Sequence, residues 1–440
     1  MASLVGFWNA SAVVPALTYA DKLTAVALQG LSNRNGPAIF FDIGADNYDW
    51  PHADAFWHET LTADGRVHFE TVGPSLCSLV ERSKEYFEGL IVWRDAEGSD
   101  SFGDGYSAAI ALTIAGQTSA LPVSEATLAK HDCLAAFQVK TNVTELLRGM
   151  TRIQAWDWAV KELLPAASRT VVFNLNRYRV VEDPQPFRND KQSPATASSL
   201  DYALQQRAFV VDLESHAAVG NSTAPWGADD KLLEQILSSL APLFDAYGWS
   251  DDEFSWTNIT SHHGGTIMCS FASPNLSFWA RLRLPHNQTT PRPLPASDRG
   301  MALDRSKYYV TFETNEGDTP RILVSAMASS WTASERGTIP IAWAIDPLLA
   351  ERFPALFDYF AATATRHASG PRGMLEALFA AAAAFATRSF VGCRCCIRCR
   401  CRIRCWRCRR YCGRVCDRCW LHWCWCHSCC CYSCPLILAF

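Results

Sequence analysis

Three carboxylates crowd a six-residue stretch of this 440-residue chain, directly after the extended run 308–312. They belong to Glu313, Glu316 and Asp318. Like charges at such short range raise one another's proton affinity, so one of them can stay protonated near neutral pH and act as a general acid. The same oxygens could bind a cation or sugar hydroxyls. Alternatively, the stretch is a solvated turn in which Asp318 only caps the next helix.

A fourth carboxylate, that of Asp346, follows the extended run 339–345 and precedes a helical pattern over 348–360. Sites in α/β sheets and barrels lie beyond the carboxyl ends of the strands, and both acidic stretches occupy that position. We therefore predict a site that combines Asp346 with Asp318 or Glu316. The alternative for Asp346 is again a helix cap.

Two further side chains are candidates for ligand contacts. Trp331 stands in a polar stretch, where its flat ring could form a platform for a sugar face, whereas Trp343 lies inside a predicted strand and is expected in the core. His262 is the other candidate. It is adjacent to His263, and neighbours in a strand point to opposite faces, so the pair does not predict a metal site. A structural role is the alternative for His262.

The elements that would carry these side chains alternate between helix and strand. Apolar periodicity and turn residues indicate helix 21–31, strand 38–43, strand 89–93, helix 107–115, strand 120–123, helix 156–164 and strand 170–175. This alternation is typical of α/β layers with a largely parallel sheet. Polar, proline-bearing stretches at 183–199 and 218–230 predict linkers, and the stretch 285–298 predicts an exposed loop.

Charge divides the chain into a body and a tail. Residues 1–390 hold 30 Lys and Arg against 43 Asp and Glu, a net charge of −13. Residues 391–440 hold ten Arg and one Asp, a net charge of +9. The acidic body argues against nucleic-acid binding. The sequence lacks the zinc-protease helix, the nucleophile elbow, the P-loop and the dinucleotide fingerprint, so we expect no cofactor and no metal.

The tail is dominated by cysteine, with 16 of the 19 cysteines between Cys393 and Cys434. Its C-x-x-C pairs resemble zinc ligands when taken singly, but they are too many and too irregular to specify one tetrahedral site. Metal binding by the tail is therefore the less favoured alternative. We interpret the segment as disordered low-complexity sequence, or as an artefact such as an out-of-frame translation.

Two features bear on the compartment of the protein. The longest apolar run has ten residues, too few to span a bilayer, and the apolar run 4–17 lacks the basic residues that begin a secretory leader. Six of the 13 asparagines stand in Asn-x-Ser/Thr sequons, where chance would give roughly two. These are Asn9, Asn142, Asn221, Asn258, Asn275 and Asn287. We expect no transmembrane helix, and the sequons favour export, with coincidence as the alternative.

Five segments resemble a known family, the GxGYxYP putative glycoside hydrolases. They are 28–37 (LQGLSNRNGP), 200–213 (LDYALQQRAFVVDL), 273–277 (SPNLS), 309–322 (YVTFETNEGDTPRI) and 331–359. The resemblance implies α/β throughout, with small Rossmann-like N-terminal subdomains at 1–72, 73–145 and 146–220. It also implies a truncated, barrel-like (β/α) domain at 221–365, followed by the tail 366–440. A secreted protein that acts on carbohydrate is the expected function.

The sequence departs from the family after residue 365, and the signature G-x-G-Y-x-Y-P is missing from it. Under the resemblance, Asp318 or Glu316 serves as the acid/base of a glycosidase while Glu313 and Asn315 help to bind the sugar. Paired carboxylates of glycosidases stand about 5 to 9.5 Å apart across the bond, so the second one should come from Asp346 or from the missing segment. The alternative is a glycan-binding protein without catalysis.

Overall fold

The computed structural model describes most of the body of the chain. The described residues are 3–9, 17–44, 50, 52–63, 65, 67–94, 105–175, 199–213, 228–248, 253–269, 273–283, 306, 308, 310, 312–314, 319–339, 341–343, 345–346 and 348–364. The chain divides into two compact units, Met1–Ala386 and Thr387–Phe440, and the second lies outside the described residues. Most of both expected linkers and the whole of the loop 285–298 also lie outside them.

The first layer is a parallel sheet of three strands in the order β2-β1-β3. Its elements are β1 Ser3–Asn9, α1 Tyr19–Ser32, β2 Ile39–Asp42, α2 Ala53–Ala63, β3 Val67–Val72 and α3 Leu76–Ser83. Gly6 of β1 pairs with Ile39 on one side and with Glu70 on the other. Val5 and Trp8 of the central strand are buried. The apolar run at the start of the sequence therefore includes the middle strand of a sheet.

The second layer repeats this plan in the order β5-β4-β6, again with all strands parallel. Its elements are β4 Leu90–Trp93, α4 Gly105–Thr118, β5 Leu121–Ser124, α5 Glu125–Lys130, β6 Val139–Asn142 and α6 Val143–Leu146. Residues 107–116 of α4 are all buried, as expected for a helix that is apolar on every face.

Asp21 fixes α1 of the first layer to the second layer. It forms a capping box with Thr18 at the start of α1, and its buried carboxylate accepts hydrogen bonds from Thr127 Oγ1 at 2.9 Å and Lys130 Nζ at 2.7 Å. These contacts with Thr127 and Lys130 lower the pKa of Asp21 against the opposing effect of burial. The charge of Asp21 is therefore compensated where the two layers meet.

The third layer is a parallel sheet of four strands in the order β10-β9-β7-β8. Its elements are α7 Arg152–Glu162, β7 Val171–Asn174, α8 Leu200–Gln205, β8 Phe209–Val211, α9 Ala228–Ser239, β9 Asp245–Gly248, α10 Glu253–His262, β10 Thr266–Ile267 and α11 Leu276–Arg281. This sheet extends across the domain boundary expected after residue 220. Strand β7, before residue 220, pairs directly with strand β9, after it.

The C-terminal part contains a parallel pair of short strands. Its elements are β11 Phe312–Thr314, α12 Arg321–Val324, α13 Ala326–Trp331, β12 Ile341–Trp343, α14 Leu349–Arg352 and α15 Pro354–Thr363. The expected strand 308–312 is displaced, since Tyr308 and Val310 are exposed and pairing begins only at Phe312. The expected helix 348–360 is two helices, because Pro354 has no N–H for the preceding helix to use.

The α/β fold class is confirmed, with parallel strands in every sheet of the described residues. Cys77 and Cys133 form a disulfide that joins α3 to the short 3₁₀ helix Asp132–Ala136. Among the described residues, none of the helices is long and apolar enough to cross a membrane.

Candidate active site

The expected site lies at the edge where β11 and β12 end. The strands run parallel, with Phe312 opposite Ile341 and Thr314 opposite Trp343, so their carboxyl ends coincide. Glu313 lies inside β11 opposite Ala342, rather than in the loop after the strand, because pairing is shifted toward the C-terminus. Asn315, Glu316 and Asp318 lie outside the described residues.

Asp346 is the described carboxylate at this edge. Its Oδ1 accepts a hydrogen bond from the Leu348 N–H at 2.9 Å, and its carbonyl oxygen accepts one from the Leu349 N–H at 3.1 Å. Burial raises the pKa of Asp346, against the opposing effects of the Leu348 N–H and of Arg352. Asp346 therefore forms a hydrogen-bonded turn directly before α14, whose N-cap residue is Leu348, and it also has an increased proton affinity.

Arg352 of α14 connects this edge to the third layer. Its Nε donates to Asp245 Oδ2 at 2.6 Å, and the Asp245 side chain is only 2% exposed. Burial raises the pKa of Asp245, and the guanidinium opposes that rise. One cation thus interacts with two carboxylates, that of Asp245 through a hydrogen bond and that of Asp346 through its charge.

Two tyrosines enclose this charged group. The rings of Tyr202 and Tyr247 have centroids 5.0 Å apart, and Tyr202 also packs edge-on against Phe353 at 5.2 Å. Burial and the negative charge of Asp245 raise the pKa of Tyr202 to about 12. Both phenols therefore remain protonated at neutral pH, which excludes them as bases and limits them to donating or accepting hydrogen bonds.

Trp331 does not present a face to solvent. It is 2% exposed and packs edge-on against Trp343 at 5.2 Å and Phe360 at 5.1 Å. Its Nε1 donates to Thr363 Oγ1 at 2.8 Å, and the Arg336 guanidinium lies 4.3 Å from the ring centroid. The structure thus places the expected sugar platform in the core, where the indole contributes packing and a cation–π contact. The sequence does not reveal the burial of Trp331, because its polar neighbours point outward while the indole points inward.

His262 is the last residue of α10 and is exposed, with its ring edge-on to His263 at 5.3 Å. Burial and the charge of His262 lower the pKa of His263. Within the described ranges, no hydrogen bond or ion pair joins either histidine to Asp346. In the same part of the chain, no group of three or more His, Cys, Asp or Glu side chains is placed to hold a metal ion.

Sequence reasoning missed a buried set of hydrogen-bonded side chains, which we call the polar junction. It consists of Gln29, Asn33, Asp54, Asp201, Gln205, Asn275 and Ser277. Asn275 Oδ1 accepts from Gln29 Nε2 at 2.6 Å and from the Phe41 N–H at 2.7 Å. Its Nδ2 donates to the Phe41 carbonyl at 2.9 Å and to Asp54 Oδ1 at 3.3 Å.

The other half of the polar junction joins three segments of the chain. Asn33 Nδ2 donates to Ser277 Oγ at 2.8 Å, and Gln205 Nε2 donates to the carbonyls of Asn33 and Ser277, both at 2.7 Å. The Ser277 N–H donates to Asp201 Oδ2 at 2.8 Å. The family-like segments 28–37, 200–213 and 273–277 therefore meet in one buried place, where they hold the first and third layers together.

Asp54 is the most perturbed carboxylate of the polar junction. Burial, followed by the charge of Asp42, raises its pKa to about 8, although the Ile43 N–H and Asn275 Nδ2 both donate to it. Burial also raises the pKa of Asp201 to about 7. Asp54 and Asp42 stand near the carboxyl end of β2, and no motif in the sequence marks this position.

Two parts of the chain match models of known protein families. Residues 306–370 match the model of the GxGYxYP putative glycoside hydrolase C-terminal domain, and residues 187–281 match the model of the GxGYxYP third domain. The resemblance to the GxGYxYP family is confirmed. Glu313, Trp331 and Asp346 all lie in the part matched to the C-terminal domain of that family.

A solved structure shares the fold. It is described as a putative hydrolase from Bacteroides thetaiotaomicron VPI-5482, and it superposes with a TM-score of 0.61 at 17% identity. The match covers 83% of this chain and 61% of the other, so this chain spans about three fifths of that protein. No curated protein matches the chain.

Proposed function

We propose that the chain is a glycoside hydrolase, in whole or in part, whose active site includes the carboxyl edge of β11 and β12. The supporting observation is the parallel register of these strands within the part that matches the family's C-terminal domain. Parallel pairing brings the residues that follow Thr314 and those that follow Trp343 to one edge, which is where α/β folds place their chemistry.

In this proposal Asp346 is one carboxylate of the reacting pair. Its raised proton affinity suits a general acid, which gives its proton to the leaving oxygen while water supplies the hydroxyl to the sugar carbon. Asp318 or Glu316 supplies the second carboxylate. Glu313 and Asn315 contribute contacts to the sugar.

Arg352 has a positioning role in the proposal. It is anchored to Asp245 and is the cation that limits the proton affinity of Asp346. The substrate is a carbohydrate, and the inward position of Trp331 removes that ring from the sugar contacts that we propose.

The experiment measures glycan release and glycan binding separately on the full chain. Starch, xylan, mannan, laminarin and chitin oligosaccharides serve as probes, with release of reducing ends as the assay for cleavage and calorimetry as the assay for binding. We expect Asp346→Asn and Asp318→Asn to lower release by about 10² to 10⁴ with binding retained. Glu335→Gln, an exposed carboxylate in the same matched part, is the control and should release sugar at the wild-type rate.

A wild-type chain that binds one of these probes and never cleaves it would replace the hydrolase with a glycan-binding protein. Equal loss of activity in Glu335→Gln and Asp346→Asn would show that the assay reports general damage. If wild-type protein neither binds nor cleaves any probe, the proposal is wrong for this chain.

A further inference from the structure

The sequons differ sharply in what their asparagines do in the fold. Asn275 is 1% exposed, and both ends of its amide are hydrogen-bonded inside the polar junction. Asn142 is half-buried and caps α6, because its Oδ1 accepts from the Glu145 N–H at 3.1 Å. Asn258 is exposed in the middle of α10. Of these three, only Asn258 offers an amide on which a bulky glycan could remain in solvent.

The sequon at Asn258 also has a suitable local structure. The neighbouring Trp256 and Ile259 are buried, so α10 packs through one face and leaves Asn258 on the opposite face. A glycan attached there would contact none of the core residues of α10. Attachment at Asn275 would replace one of the two Nδ2 hydrogens, which donate to the Phe41 carbonyl and to Asp54, and would place a sugar chain inside the protein.

Independent evidence for the compartment comes from the disulfide between Cys77 and Cys133. The Cα atoms are 5.7 Å apart, and the bond closes a loop across a sequence separation of 56 residues. Both residues are half-buried, so cellular thiols could reach the bond. A structural disulfide of this kind persists in oxidising compartments and is rare in the reducing cytosol.

We propose that this protein matures in an oxidising secretory compartment, where Cys77 and Cys133 are joined and Asn258 receives an N-linked glycan. The disulfide and the outward asparagine are separate observations, and both modifications occur on that one route. The proposal is independent of the hydrolase function.

The test is peptide mapping of the full chain isolated from its own source cells by antibody capture, without reduction. Peptide N-glycosidase in heavy-oxygen water then marks each asparagine that carried a glycan. We expect a linked pair of peptides that contains Cys77 and Cys133, a mark on Asn258 and none on Asn275. The control is the same chain made in a reducing bacterial cytosol, which should show free thiols and no mark.

Free thiols at Cys77 and Cys133 in the isolated protein would overturn the proposal, as would an unmarked Asn258. A mark on Asn275 with none on Asn258 would also overturn it, because glycan attachment would then not follow the exposure of these two asparagines in the fold. Thiol alkylation before lysis distinguishes a native disulfide from oxidation during purification. A linked pair of Cys77 and Cys133 after alkylation supports the proposal, and alkylated thiols contradict it.

Discussion

The polar junction and the β11–β12 edge both carry family-like sequence, but they differ in what that sequence does. Side chains of the polar junction are buried and bond to partners up to 246 residues away. The edge is built from strands of three residues, with Tyr308 fully exposed just before it. Resemblance to a family therefore marks two kinds of residue, those that join layers and those at a strand end where a substrate could approach. Substitutions in the two regions should separate these roles.

The largest effect is expected from Gly30→Ala in α1. An alanine normally stabilises a helix relative to glycine by roughly 0.5 to 1 kcal/mol. Here the added Cβ would lie 2.3 Å from the backbone oxygen of Asp201, so α1 and α8 would have to separate. We expect a loss of about 4 kcal/mol in the free energy of unfolding, measured by urea denaturation.

Gly36→Ala is the matched control, because an added Cβ at Gly36 would meet no atom within 4 Å. It should unfold at nearly the wild-type urea concentration. A stable Gly30→Ala protein would mean that α1 and α8 are not packed as closely as the polar junction requires.

Asn275→Ala comes next in size, with an expected loss of about 3 kcal/mol. The substitution removes the side-chain amide that bonds to Gln29 and Asp54, and it places alanine at a φ of 65°, which asparagine tolerates better. Differential scanning calorimetry measures the loss. Asn258→Ala, an exposed asparagine in another sequon, should change stability by less than about 0.5 kcal/mol. Similar losses in the two variants would contradict the structural role of Asn275.

A pH dependence should follow from Asp54. Its pKa in the folded protein, about 8, lies above the ordinary aspartate value of 3.8, so the folded state binds the proton more tightly than the unfolded state does. This contribution to stability is complete below about pH 4 and is lost as the pH rises through about 8. We expect the unfolding free energy to fall by about 2 kcal/mol between about pH 6.5 and 8.5, with Asp201 acting in the same direction.

Asp54→Asn should flatten that pH profile, because the amide does not titrate in this range. Glu59→Gln, which removes an exposed carboxylate from the same helix, should keep the wild-type slope. An unchanged slope in Asp54→Asn would assign the pH dependence to other groups.

The smallest change in stability is expected at the edge itself. Asp346→Asn keeps an oxygen that can accept from the Leu348 N–H, so the free energy of unfolding should change by less than about 0.5 kcal/mol. Thermal denaturation at constant pH measures it. A loss as large as that of Asn275→Ala would move Asp346 from the candidate site into the scaffold.

The sequence predicted the layers because their apolar periodicity is local. The strands expected at 38–43, 89–93, 120–123 and 170–175 correspond to β2, β4, β5 and β7 within one or two residues at each end. The polar junction has no such signal. Gln29 and Asn275 show a family-like pattern, but their contact depends on how two distant segments fold, which periodicity does not report.

At the candidate site, the sequence predicts the strand pair and the position of Asp346, but not the burial of Trp331 or the position of Glu313 inside a strand. Asp346 was placed after a strand from the sequence, and it stands just beyond β12. The polar residues around Trp331 in the sequence favour an exposed ring, but a helix buries one face whatever the average polarity of its sequence. The sequence predicts Glu313 after a strand, but the pairing of that strand starts four residues later than expected. The exposed residues before Phe312 have β propensity without a partner strand.

The ion pair between Arg352 and Asp245 has a practical consequence for how the protein can be divided. A fragment that ends before residue 306 would keep the Asp245 carboxylate and lose both the guanidinium that neutralises it and the rest of α14. Truncation between the parts that match the two family models should therefore yield an aggregation-prone product. Fragments for crystallisation should keep both matched parts in one polypeptide.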